Sequence, residues 1–170
     1  MQTGIIPKAE SDQVEFKTSF SDDVIVSLVA FANTKGGAVY VGVTDNNIVK
    51  GVQLGKETVA DWLNQIKNKT LPAIIPNVDI LTHSDKSVVL FSVAEYPVKP
   101  VSMKGRHYQR RANSNHLLSA VEITDLSLQS RQVSWDSYPY AGASFRDLNV
   151  KKNQTLYFES ERSGTICCGC

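Results

Sequence analysis

The strongest constraint on this chain is a short helical segment that is apolar around most of its circumference. Ser21 and Asp22 offer an N-cap for a helix over residues 23–33, with Val24, Leu28, Phe31 and Ala32 on one face. Ile25 and Val29 carry the apolar surface onto its flanks, so the helix must be central to the fold rather than laid on its surface. Asn33-Thr34-Lys35-Gly36-Gly37 follows with residues that tolerate left-handed backbone, as a helix C-terminus requires. The run Ala38 to Val43 then reads as an almost continuously apolar strand, bounded by the turn Thr44-Asp45-Asn46-Asn47. Ahead of the helix, Val14 to Thr18 alternates. Val14 and Phe16 point one way while Gln13, Glu15 and Lys17 point the other, which is the two-residue period of a half-buried strand.

The rest of the chain supplies hairpins and two further helices. Ile48-Val49 and Gly51-Val52 read as a hairpin partner for the apolar strand. Lys56 to Lys69 reads as a helix with Val59, Leu63 and Ile66 spaced for one face and Trp62 beside them, stopped by Leu71-Pro72. Val78 to Leu81 and Val88 to Val93 read as strands around the turn His83-Ser84-Asp85-Lys86, and Pro97-Val98-Lys99-Pro100 as a rigid extended crossing. Asn113-Ser114-Asn115 reads as a turn, and Ser119-Ala120-Val121-Glu122 as a capping box opening a short helix through Leu128. This order of elements predicts an α+β fold: a mixed, mainly antiparallel sheet with two to three helices packed on it. Residues 1–128 form the expected domain. From residue 129 periodicity is lost and aromatic residues replace aliphatic ones, so 129–170 is expected to be a partly irregular extension or linker.

Composition excludes several classes. The chain has 170 residues and a formal net charge of +1, so affinity for a polyanion has to come from local clustering. No run approaches the roughly 20 apolar residues of a membrane helix, and the N-terminus lacks the pattern of a secretory signal. The three cysteines fall in Cys167-Cys168-Gly169-Cys170, which matches neither a disulfide framework nor tetrahedral zinc spacing; a disordered tail and a reducing cytoplasm are expected. Gly36-Gly37 lacks the pattern of a phosphate loop, and no serine or cysteine lies in a nucleophile motif within the fold.

Two constellations remain. Glu15 and Lys17 place a carboxylate and an amine on one strand face, with Glu10 upstream and Asp45 at the end of a strand able to pair with the first. That set reads either as a solvated charge pair with turn formers or as carboxylates converging on a divalent ion, Mg²⁺ or Mn²⁺, beside a cation. Lys104, Arg106, Arg110 and Arg111, interleaved with His107 and Tyr108, read either as a solvated basic edge that blocks strand pairing or as a phosphate-contacting strand or hairpin. Alternation sends Arg106, Tyr108 and Arg110 to one face.

The ordered motifs Glu10-Ser11, Val14-Glu15-Phe16-Lys17, Ala30-Phe31-Ala32-Asn33-Thr34, Gly36-Gly37, Gly42-Val43-Thr44-Asp45 and Gly51-Val52 resemble the AlbA_2 domain shared with Schlafen proteins. Lys99-Pro100, Gly105-Arg106-His107-Tyr108, Arg110, Asn113-Ser114-Asn115 and Glu122-Ile123 continue the likeness, which covers residues 8 to 128. Ser134-Trp135-Asp136 and Gly142-Ala143-Ser144 resemble the segment after this domain in bacterial and archaeal transcriptional regulators. The resemblance implies an α+β fold and DNA or RNA as partner, with Lys17, Lys104, Arg106, Arg110 and Arg111 on phosphates and Tyr108 stacking or packing. For the Schlafen branch it implies a metal-dependent endoribonuclease acting on structured RNA. Glu10, Glu15 and Asp45 would then be the metal-binding and catalytic acids, with Lys17 beside them. Schlafen nucleases form a clamp from two such modules, which here implies a homodimer. A third reading is a protein-interaction module of an ATPase-like regulator. Thr44 stands where the Schlafen branch often has an aspartate, and Ala112 where many relatives have glycine.

Overall fold

The structure, a computed structural model, describes residues 6–130. The expected extension from residue 131 on, with its cysteine tail, lies outside the described residues. Three helices and eight strands follow in the order β1 (Val14–Lys17), α1 (Asp22–Ala32), β2 (Gly37–Val41), α2 (Thr58–Lys69), β3 (Thr70–Leu71), β4 (Asn77–His83), β5 (Lys86–Val93), β6 (Ser102–Met103), β7 (Arg106–Arg111), β8 (Ser114–Leu117) and α3 (Ala120–Ser130). The strands form two four-stranded sheets, ordered β1-β2-β5-β4 and β3-β6-β7-β8. All pairings are antiparallel except β1 with β2, so the fold is α+β.

Helix α1 is the centre, as its composition demands. Every residue from Val24 to Ala32 except Val26 is buried, and the helix touches β2 and β5 of one sheet and β6, β7 and β8 of the other. Each large apolar side chain so buried is worth about 1.5–3 kcal/mol over exposure. The core around α1 draws Val39, Val41, Val89 and Phe91 from the first sheet, Met103 from the second and Val101 from just ahead of it. Helix α2 closes it from one side, where Trp62 stacks on Phe20 with ring centroids 4.8 Å apart and both lie against Phe91. A smaller cluster of Phe16, Tyr40, Val43, Leu81 and Val88 lies on the other face of the first sheet.

Because α1 bridges β1 and β2, the two strands run the same way rather than forming a hairpin. The expected hairpin of Ile48 to Val52 with the apolar strand is reduced to one bridge, Val43 with Val49, because β5 takes that edge of β2. Gly36, at φ +76°, makes the turn into β2; a Cβ there would lie 2.7 Å from the Val93 carbonyl oxygen.

β1 is an outer strand, yet its free edge is not bare. The Ser11 amide donates to the Val14 carbonyl at 3.0 Å, and the Phe16 amide donates to Glu10 Oε1 at 3.0 Å. The segment before the strand thus covers the outward groups that would otherwise invite another chain.

Three two-residue loops make the hairpins. Ser84-Asp85 and Lys104-Gly105 have positive φ at both positions, the type I′ arrangement that matches strand twist. The third turn was expected at Asn113-Ser114-Asn115, but Ser114 already pairs with Arg111, and the loop is Ala112-Asn113 with Ala112 at φ +52°. A left-handed alanine costs roughly 1 kcal/mol that glycine does not, partly offset by the greater freedom of unfolded glycine. Ala112→Gly is therefore expected to stabilise the protein by up to about 0.5 kcal/mol, read as a higher urea midpoint at unchanged m-value; a lower midpoint would contradict the strain.

Candidate nucleic-acid interface

The strand register decides where Glu15 points. Glu15 lies beside Val39 and Lys17 beside Val41, and both valines belong to the core around α1. Glu15 therefore faces inward, toward α1 and the second sheet, with its side chain only 8% exposed. Arg110 comes from β7 to meet it with a side chain 1% exposed, Nη2 standing 2.7 Å from Glu15 Oε2. The approach is off the line of an N–H bond, so Oε2 has no aligned hydrogen-bond donor, and Arg110 Nε likewise has no acceptor. The remaining guanidinium bonds are sound: Nη1 donates to Asn115 Oδ1 and Nη2 to the Ser11 carbonyl, both at 2.9 Å. The guanidinium also lies 5.1 Å from the Phe31 ring centroid, within cation–π range. Lys17 Nζ donates to Glu15 Oε1 at 2.5 Å and stays 26% exposed, so it is the end of this network that solvent reaches.

Polar residues of α1 and of the turn just after it hold the network in register. Asn115 Nδ2 donates to Ser27 Oγ, which donates to the Asp23 carbonyl; Thr34 Oγ1 accepts from the Arg110 amide and donates to the Ala30 carbonyl. Asn33 is fully buried at φ −80°, not in the left-handed conformation its place suggested. Its amide nitrogen donates to the carbonyls of Val101 and Tyr108, each at 2.8 Å, and its oxygen accepts from the Val101 amide at 2.7 Å. Asn33 thus sews the helix end to the second sheet.

The acidic positions Glu10 and Glu15 are each engaged separately. Glu10 is committed to the Phe16 amide, Glu15 to Lys17 and Arg110, and Asp45 lies exposed in the turn after Val43. Among the described residues no group of three or more Asp, Glu, His or Cys side chains could hold a metal ion.

The basic positions separate by depth. Arg106, Tyr108 and Arg110 share a face of β7, and that face looks toward α1, so Arg110 is inside and Tyr108 packs partly against the core. Arg106 stands exposed just after the Lys104-Gly105 turn, and no carboxylate pairs with it among the described residues. Lys104 reaches Asp22 Oδ2 at 2.7 Å, and Asp22 also holds Lys69 through Oδ1 at 2.7 Å. These hydrogen bonds, Lys104 first and Lys69 second, lower the Asp22 pKa. Arg111 pairs with Glu122 at 2.6 Å. Burial lowers the His107 pKa, favouring a neutral imidazole.

The sequence model of the family described as Schlafen, AlbA_2 matches residues 10–119. A search of curated proteins returned no match. Among solved structures, the DIP2311 protein from Corynebacterium diphtheriae is similar over 70% of this chain at 18% identity, with a TM-score of 0.58. The match spans 24% of that longer chain, so the likeness is one of fold over about a quarter of its length. The N-terminal domain of a RecG-related protein from Nitrosomonas europaea aligns over 64% of this chain and 84% of its own, at 19% identity and a TM-score of 0.43.

The capping box gives this region a pH signature. The Glu122 carboxylate accepts from the Ser119 amide and hydroxyl, both at 2.8 Å, and from Arg111. Those bonds, Ser119 first, hold its pKa down at about 2 against an ordinary 4.5. The carboxylate's contribution is thus complete above about pH 4.5 and lost as pH falls toward about 2. A carboxyl-carbon NMR titration should place Glu122 near 2, with the Ile123 amide losing exchange protection over the same window; a midpoint near 4.5 would mean the cap is not formed.

Proposed function

This chain belongs to the Schlafen AlbA_2 family, and from that premise we propose that it is the nucleic-acid-binding domain of a transcriptional regulator. The carrying observation is the exposed tip of the β6–β7 hairpin, where Arg106 offers a guanidinium without an acidic partner among the described residues. An exposed arginine on a tight, twisted hairpin is a good donor to phosphate oxygens, and the extended strand behind it fixes its position.

Lys104, Arg111 and Lys17 join Arg106 as phosphate contacts. Lys104 and Arg111 are engaged with Asp22 and Glu122 at the surface, and such pairs are worth only about 0–1 kcal/mol, so a phosphate can exchange for either carboxylate. Arg110 differs. Its buried guanidinium cannot reach a phosphate, and it serves by holding Glu15 and, through it, Lys17. Tyr108 packs rather than stacks, because its ring lies partly against the core.

Binding of this kind releases counterions, so affinity for a DNA duplex or an RNA hairpin should fall with salt. With four contacts the log–log slope is expected at about −3 to −3.6. Arg106→Ala should weaken binding about equally for different sequences and make the slope shallower by about 1. A slope near zero, or an Arg106→Ala variant that binds like wild type, would overturn the proposal.

A further inference from the structure

A divalent ion of the kind the family's nucleases employ needs carboxylate oxygens free to converge on it, at about 2.0–2.1 Å for magnesium. Glu15 has none free. Its Oε1 carries the Lys17 ammonium at 2.5 Å and its Oε2 faces the Arg110 guanidinium at 2.7 Å. The missing aligned hydrogen bond at Oε2 opens no place for an ion, because Nη2 already stands against that oxygen. Arginine cannot shed a proton to make room. Nor can it swing aside without giving up Asn115 and the Ser11 carbonyl. Two cations around one carboxylate leave an excess of positive charge, which repels a metal ion and attracts an oxyanion.

The other acids offer no alternative centre. Glu10 spends Oε1 on the Phe16 amide at the edge of β1. Asp45 lies on an exposed turn and joins no cluster among the described residues.

We infer that Glu15 is the counter-ion of Arg110 and Lys17 rather than a metal ligand, so that Glu10, Glu15 and Asp45 form no metal centre and the phosphate-facing surface works without a divalent ion. The statement about the carboxylates stands by itself; the statement about the surface rests on the nucleic-acid reading proposed above.

Manganese alone is the probe. Titrating the full chain with Mn²⁺ and following the free-ion EPR signal should reveal no site tighter than about 1 mM. Glu15→Gln keeps the shape and removes the charge. It should leave that titration unchanged while lowering the thermal midpoint, because Arg110 loses its counter-ion. Retention of a labelled DNA duplex or RNA hairpin at low salt should agree within about twofold between EDTA and Mg²⁺ buffers. A manganese site tighter than about 100 µM, abolished both by Glu15→Gln and by the exposed Asp45→Asn, would overturn the inference, as would retention that requires a divalent ion. Failure to retain either probe in both buffers would instead defeat the nucleic-acid reading, with manganese titration then deciding the carboxylate statement.

Discussion

A guanidinium with 1% of its side chain exposed needs a counter-ion, and in this fold Glu15 supplies it. Taking both charges out of water costs several kcal/mol each, and their attraction repays this only where further hydrogen bonds complete the site. Here Asn115, the Ser11 carbonyl, Lys17 and the Phe31 ring do most of that completion. The pair joins β1 of one sheet to β7 of the other across α1. Removing Glu15 alone would strand the buried Arg110 charge, at a cost of about 3–5 kcal/mol, whereas Glu15 without Arg110 keeps Lys17. The register of β1 on β2 and the inward face of β7 bring the two charges together, and the contact then ties one sheet to the other.

The same contact sorts the basic residues by task. Arg106 and Arg110 share a face of β7 but stand four positions apart along it, so Arg110 is an interior strut while Arg106 stands at the hairpin tip, in water. Lys17 lies between these roles, bonded to Glu15 yet a quarter exposed, with side-chain exposure of 26%. The net charge of the chain is only +1, so this surface does not belong to a broadly basic protein. Any affinity for a polyanion must come from geometry at the hairpin rather than from a broad basic field.

Much of this was legible in the residues. The apolar circumference of α1 could be satisfied only in the interior, the Ser119–Glu122 capping box is present as drawn, and the Ser84-Asp85 hairpin lies where the strand patterns end. The direction of Glu15 and Arg110 was not legible. A two-residue period says which residues share a face but not which face is covered, and the partner of each lies far along the chain. Charged residues are seldom buried, so the bland expectation was a solvated face. Asn33 likewise read as a helix-end residue, while its buried amide is a bridge that only the tertiary structure reveals. The parallel pairing of β1 with β2 was not legible either, because strand order by itself leaves open whether the helix between them crosses over or lies beside them. The resemblance marked Ala112 as a place for glycine, and its positive φ supplies the reason.

The most direct measurement is a double-mutant cycle on the central pair: Glu15→Gln, Arg110→Met and the two combined, compared by urea unfolding. If Glu15 is the counter-ion of Arg110, the single changes are strongly non-additive, with a coupling of about 2–3 kcal/mol. Additivity to within about 0.5 kcal/mol would show that the two side chains do not depend on each other, and would remove the interaction on which the rest of the structure is built.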